Sequence, residues 1–183
     1  MSIYVKYFLR YWALVFLQTV LLNKVTLRWW AAPEGFPVFL PQIYPLFILF
    51  LPLETPLWFL LILGFALGLT VDMFSNTQGM HAAATVILAY ARNMILLTLL
   101  PKNLSEYKNQ IPSIYNLGWI PLLTYCLLLL LLHHIVFFTV EMWGFTNFQY
   151  LLIKILASIV TTMLLVVVYI LLFERKNRVL NFQ

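Results

Sequence analysis

Long apolar runs broken by short polar stretches dominate the chain, and the runs show no two-residue alternation. Residues 127–132 and 164–172 are apolar without interruption. This excludes barrel strands, which alternate apolar and polar residues over about 10 positions. A membrane-spanning helix needs roughly 20 predominantly apolar residues. Six stretches reach or approach that length: 7–22, 37–53, 57–71, 80–100, 117–140 and 150–173. They predict an all-α integral membrane protein, a compact bundle of about six transmembrane helices forming one polytopic domain over residues 1–183. The second stretch is interrupted by Pro37, Pro41 and Pro45. Each proline removes a backbone donor and disfavours helix at the residue before it. A regular second helix is therefore expected only from near Pro41, with 29–40 as an interfacial segment. Trp29, Trp30 and Phe36 suit the headgroup boundary there.

Composition strengthens this reading. Apolar residues make up 63% of the chain and charged ones 9%, with a mean hydropathy of +0.93. A soluble domain is about 45–50% apolar and about 25% charged. A soluble enzyme, a disordered chain and a nucleic-acid-binding domain are excluded, despite a pI near 9.4. Six helices would place both termini on the side of the loop at 101–116. That side carries Lys6, Arg10, Lys102, Lys108, Arg175, Lys176 and Arg178, against Lys24 and Arg28 opposite. The excess of cations marks the cytoplasmic face. Asn23, Lys24 and Val25 after the first run offer no small-residue cleavage site, so the first helix is expected to remain uncleaved. No loop is long enough for a separate soluble domain. The single cysteine, Cys126, excludes an intrachain disulfide.

Charges inside apolar helices cost about 2.5–3.5 kcal/mol at the helix centre and call for a partner. Arg92 is the most deeply placed. It can snorkel to the cytoplasmic headgroups, form a buried ion pair with Glu54 in the turn before the third helix, or bind a substrate. Polar and small residues concentrate in 63–84: Gly64, Gly68, Asp72, Gly79 and His81, followed by Thr85. Gly64 and Gly68 form a GxxxG pair that lets helix backbones approach closely. His81, Thr85 and Arg92 share one helix face. This pattern fits a tight helical hairpin with a capped start, or a polar cup for a ligand or partner helix. His133 and His134 point about 100° apart on one helix and cannot both ligate a single ion, so a metal site is not expected. They are expected to be satisfied by a backbone carbonyl or by Glu141, while Glu141 can pair with Lys154. Gln18 is expected to bond between helices. Asp72 and His81 could exchange a proton, but neither a nucleophile nor paired carboxylates accompany them. No enzymatic activity and no cofactor are expected.

Residues 52–91 resemble the bacterial rod shape-determining MreD family. The resemblance lies in PLETP at 52–56, GFALGLTVD at 64–72, SNTQG at 75–79 and the His81, Ala82, Ala83 that follow. The family pattern is a GFxxGLxxD helix, a short polar turn, and GxHA opening the next helix. PQIYP at 41–45 also resembles the family, whereas the proline-rich approach before it departs from the pattern. The resemblance implies a non-enzymatic subunit of the peptidoglycan elongation machinery in the bacterial inner membrane. It would bind an MreC-type scaffold and work with MreB, RodZ, a RodA-type glycosyltransferase and a class B penicillin-binding transpeptidase, with membrane lipid around it and no nucleic acid. The family's fold is also similar to the substrate-binding subunits of energy-coupling-factor vitamin transporters. That likeness implies a second function, binding of a vitamin-like small molecule in a cup around Asp72, His81 and Arg92. A transporter subunit would have a closed polar pocket, a scaffold partner an apolar groove open to lipid.

Overall fold

A computed structural model describes residues 3–24, 40–100, 104–107, 110–143 and 148–173 of the chain. Where apolar runs are free of internal proline, they fold as long helices. These are α1 (Ile3–Phe16), α3 (Leu57–Ser75), α4 (Met80–Leu99), α6 (Trp119–Glu141) and α7 (Phe148–Phe173). Short helices α2 (Leu46–Leu49) and α5 (Ile114–Leu117) lie between them. Among the described residues there is no strand. Pro121 falls in the first turn of α6, where its missing N–H removes no intrahelical bond. α1 continues as a π turn (Leu17–Leu21) and a 3-10 turn (Leu22–Lys24), extending this first rod to 21 residues over Tyr4–Lys24. Five helices are thus long and apolar enough to cross a membrane, and the protein is a multi-pass membrane protein. Their outer faces are apolar too: Trp58, Ile62, Met73, Ile120 and Leu172 are each more than half exposed. Such a surface suits lipid.

The second expected helix is the main correction. Residues 40–56 contain only the four-residue α2, bounded by Pro45 before it and by Pro52 and Pro56 after it. Prolines at 41, 45, 52 and 56 withhold four N–H donors, leaving room for little more than one turn. The start of this stretch, 37–39, and all of the expected interfacial segment at 29–40 except Leu40 lie outside the described residues, as do Lys102, Lys108 and Arg175 to Arg178. Even so, the chain returns across the bundle. Tyr11 Oη lies 2.6 Å from Thr70 Oγ1, and Asn23 Nδ2 donates to Ser75 Oγ at 2.8 Å. α1 and α3 therefore run parallel, and the chain between them must come back. Every residue from Pro41 to Leu51 is buried. Non-helical backbone at membrane depth is tolerated only when protein surrounds it.

That requirement explains most of the polar residues in the surrounding helices. Leu40 N–H donates to Ser158 Oγ (3.1 Å) and Gln42 N–H to Thr162 Oγ1 (3.1 Å), both on α7. Gln18, in the π turn, accepts from Ile43 N–H (2.8 Å) and donates to Pro41 O (3.2 Å). On the carbonyl side, Tyr125 Oη donates to Leu49 O (2.8 Å). Arg10 donates to Leu46 O and Phe50 O, each at 3.2 Å, its guanidinium lying over the rings of Phe50 and Tyr169. Arg92, wholly buried, donates to Leu51 O (2.6 Å) and Pro52 O (3.1 Å). An unpaired buried backbone group would cost about 1–3 kcal/mol; Leu46 O and Pro52 O also accept from Phe50 N–H and Thr55 N–H, and the other side-chain bonds replace those a helix would have made.

α4 packs between α3 and α6, and α6 packs on α7. The α3–α4 contact is close because of the GxxxG pair. A Cβ on Gly68 would lie 2.3 Å from Thr85 Oγ1 and 2.4 Å from Ala82 Cα, and one on Gly64 would lie 3.0 Å from Thr85 O. Only hydrogen fits at Gly68.

Candidate functional site

The polar turn between α3 and α4 is organised by one carboxylate. α3 ends at Asn76 in the left-handed region (φ 55°), and α4 starts after Gly79, also left-handed (φ 78°). This reversal aims Asp72, in the last turn of α3, at the first turn of α4. Asp72 Oδ1 accepts from Thr77 Oγ1 (2.5 Å), His81 N–H (3.1 Å) and His81 Nδ1 (2.9 Å), and Oδ2 accepts from Ala82 N–H (2.9 Å). Two orphan amides of α4 are thereby capped, and the negative charge sits at the positive end of the helix dipole. Four donors thus converge on this one carboxylate, three on Oδ1 and one on Oδ2. Because Asp72 only accepts, the His81 proton lies on Nδ1. The His81 ring is held between Phe137 (centroids 4.5 Å apart) and Tyr44 (5.4 Å). Asp72 is occupied as a cap, which leaves it poorly placed to act as a general base.

Thr85 is drawn into the same packing and away from any cup. Its hydroxyl makes contacts at 2.6 Å to His81 O and 2.8 Å to Gly64 O, joining the two helices where their backbones are closest. Gly64, Gly68, Asp72, Gly79, His81 and Thr85 are thus brought together as one hairpin joint. Arg92 does not belong to it. It lies eleven residues beyond His81 on α4, about 16 Å along the axis. The expected Arg92–Glu54 ion pair is not formed either. Arg92 bonds to the carbonyls of the broken segment and to Asn93 Oδ1 (3.3 Å), while Glu54 is exposed. Carbonyls that no helix satisfies are nearer to the guanidinium than the turn carboxylate, and they take it.

A buried chain of polar groups runs inward beside the joint. Tyr44 Oη lies 2.7 Å from His133 Nε2. His134 Nδ1 donates to Leu130 O (2.7 Å), which leaves Nε2 to accept from Thr162 Oγ1 (3.3 Å). His134 therefore meets a backbone carbonyl, as its position on an apolar helix suggested, whereas His133 meets Tyr44 of the broken segment. Lys154, buried on α7, pairs with Glu141 at 2.5 Å, and its ammonium lies 4.9 Å from the Phe138 ring centre. Among the described residues no three His, Cys, Asp or Glu side chains converge as a metal-ligand set.

Two concavities flank these elements. At the end of the bundle that holds the α3–α4 turn, a cleft of about 160 Å³ is lined by Gln42, Thr77, His81, Phe137 and Glu141, among others. Between α1 and α3 lies a groove of about 570 Å³, walled by Tyr7, Tyr11, Trp12, Phe47 and Phe59 and almost entirely apolar. Sequence reasoning singled out neither Gln42 nor Asn23, which join this cleft only because the broken segment and the 3-10 turn after α1 carry them there. The available signal was the coincidence of a proline-rich stretch with scattered polar residues in otherwise apolar helices. No protein-family model, curated protein or solved structure matches this chain.

Proposed function

We infer that the protein is a non-enzymatic subunit of a bacterial cell-elongation complex, binding an MreC-type membrane-anchored scaffold that controls cell shape and peptidoglycan synthesis. The observation that carries this reading is the hairpin joint. The residues of the GFxxGLxxD and GxHA pattern are committed to packing and capping: Gly64 and Gly68 to the helix crossing, and Asp72 and His81 to the start of α4. A motif whose glycines and carboxylate are committed to packing and capping suits a protein that acts by presenting a surface. Its working surfaces are then the lipid-facing helix faces, including the aromatic groove between α1 and α3. The alternative, a transporter subunit binding a vitamin-like molecule, is less well supported. Sites for such ligands run about 300–1,000 Å³, whereas the polar cleft beside the α3–α4 turn has about 160 Å³, and Arg92 is remote from it. Affinity purification of the tagged protein in mild detergent tests the reading. Recovery of an MreC-type scaffold is the expected result. Recovery of an ATPase module without it would favour the transporter and overturn the proposal.

A further inference from the structure

The cleft beside the α3–α4 turn contains a buried polar group that the fold leaves unused. Gln18 is engaged by Asn23, Pro41 and Ile43, and Asn23 spends its own amide on Ser75. Gln42, from the broken segment, is 2% exposed, and its Oε1 has no hydrogen-bond partner. A buried acceptor without a partner is unfavourable, and in a native protein it points to a missing donor. The same cleft presents the carboxylate of Glu141, whose side chain is 29% exposed, and the ring of Phe137. Lys154 Nζ, the partner of Glu141, lies behind the carboxylate at 1% exposure, so an incoming group meets the anion. Among the described residues lining the cleft, none is a lysine or arginine. Glu141 and the Phe138 ring already hold one ammonium, that of Lys154. Amide oxygen and carboxylate together recognise a hydrogen-bond-donating cation.

We propose that this cleft binds a primary ammonium group, supplied either by the headgroup of phosphatidylethanolamine or by a free small amine. Its volume admits an ethanolammonium group and excludes a vitamin-sized ligand. The cleft borders the hairpin joint through Thr77 and His81 but shares no residue with the α1–α3 groove.

Native mass spectrometry of the full chain released from mixed-lipid nanodiscs tests the proposal directly. The probes are phosphatidylethanolamine and phosphatidylcholine with identical acyl chains, the latter unable to donate hydrogen bonds. The expected result is retention of phosphatidylethanolamine over phosphatidylcholine by about tenfold, the size of one hydrogen bond to a charged group. Gln42→Met and Glu141→Gln should each abolish that preference. A melting-temperature titration with ethanolamine in lipid-free detergent separates the sources. A rise with ethanolamine, absent with tetramethylammonium, assigns the site to free amines as well; preference in nanodiscs without such a rise assigns it to the lipid. Glu141→Gln can fail to fold by stranding Lys154. In that case Gln42→Met decides alone, and an undiminished preference in it overturns the proposal. Equal retention of both lipids together with no response to ethanolamine also overturns it.

Discussion

Gly68 illustrates how little freedom the α3–α4 crossing has. A methyl group there would meet Ala82 Cα at 2.4 Å, whereas at Gly64 the nearest atom is Thr85 O at 3.0 Å. Overpacking in a filled core costs about 1–3 kcal/mol. Gly64→Ala should fall at the low end of that range and Gly68→Ala at or above the high end. Melting temperatures in one detergent check the order, and equal stability of Gly68→Ala and the parent protein would refute the close crossing. Gly79 is different: nothing lies within 4 Å of the added carbon, but φ is +78°. Gly79→Ala should lose about 1 kcal/mol from backbone strain alone. Gly64, Gly68 and Asp72 were legible in the sequence because spacing on a single helix determines which residues share a face. Gln42 was not legible, since its place depends on a segment with no periodicity.

At the scale of elements, the segment at 40–56 behaves as a sixth crossing without being a helix. Its prolines announced that a regular helix would be interrupted. They did not reveal which side chains would replace the lost bonds, because those come from α1, the π turn, α4, α6 and α7. Arg92 therefore looked like one half of an ion pair when it serves two carbonyls. This assignment reverses the expected outcome of a double-mutant cycle. Arg92→Met should destabilise by about 1–3 kcal/mol, the cost of leaving Leu51 O unpaired, since Pro52 O keeps the Thr55 N–H and hydroxyl. Glu54→Ala should act independently of it, the two adding within about 0.5 kcal/mol. Coupling well beyond that would restore the ion pair. Tyr125→Phe, which strands Leu49 O alone, should lose a similar amount under the same conditions.

For the whole molecule, five helices and one irregular crossing leave α1 and α7 starting from opposite faces, so the beginning of α1 and the end of α7 meet at one side. Arg10 stacked on Tyr169 near those ends shows the same arrangement. Reporter fusions after Glu106 and at Gln183 should read cytoplasmic, and one after Gln78 should read outside. A fusion at Gln183 reading outside would mean that the proline-rich segment does not return across the membrane. Overall class, spanning helices and hairpin were readable because each follows from local pattern. The identity of the crossing's partners was not, because it depends on contacts between residues far apart in sequence. If the hairpin joint serves only to hold the scaffold-binding surface, Asp72→Asn should weaken both folding and partner binding, and by parallel amounts. Recovery of the MreC-type scaffold and melting temperature, measured on the same preparations of Asp72→Asn, test this most directly. The expected result is a lowered melting temperature with scaffold recovery reduced in step and restored on cooling. An unchanged melting temperature with recovery abolished would contradict it, showing that the carboxylate acts on the partner or on chemistry rather than on packing.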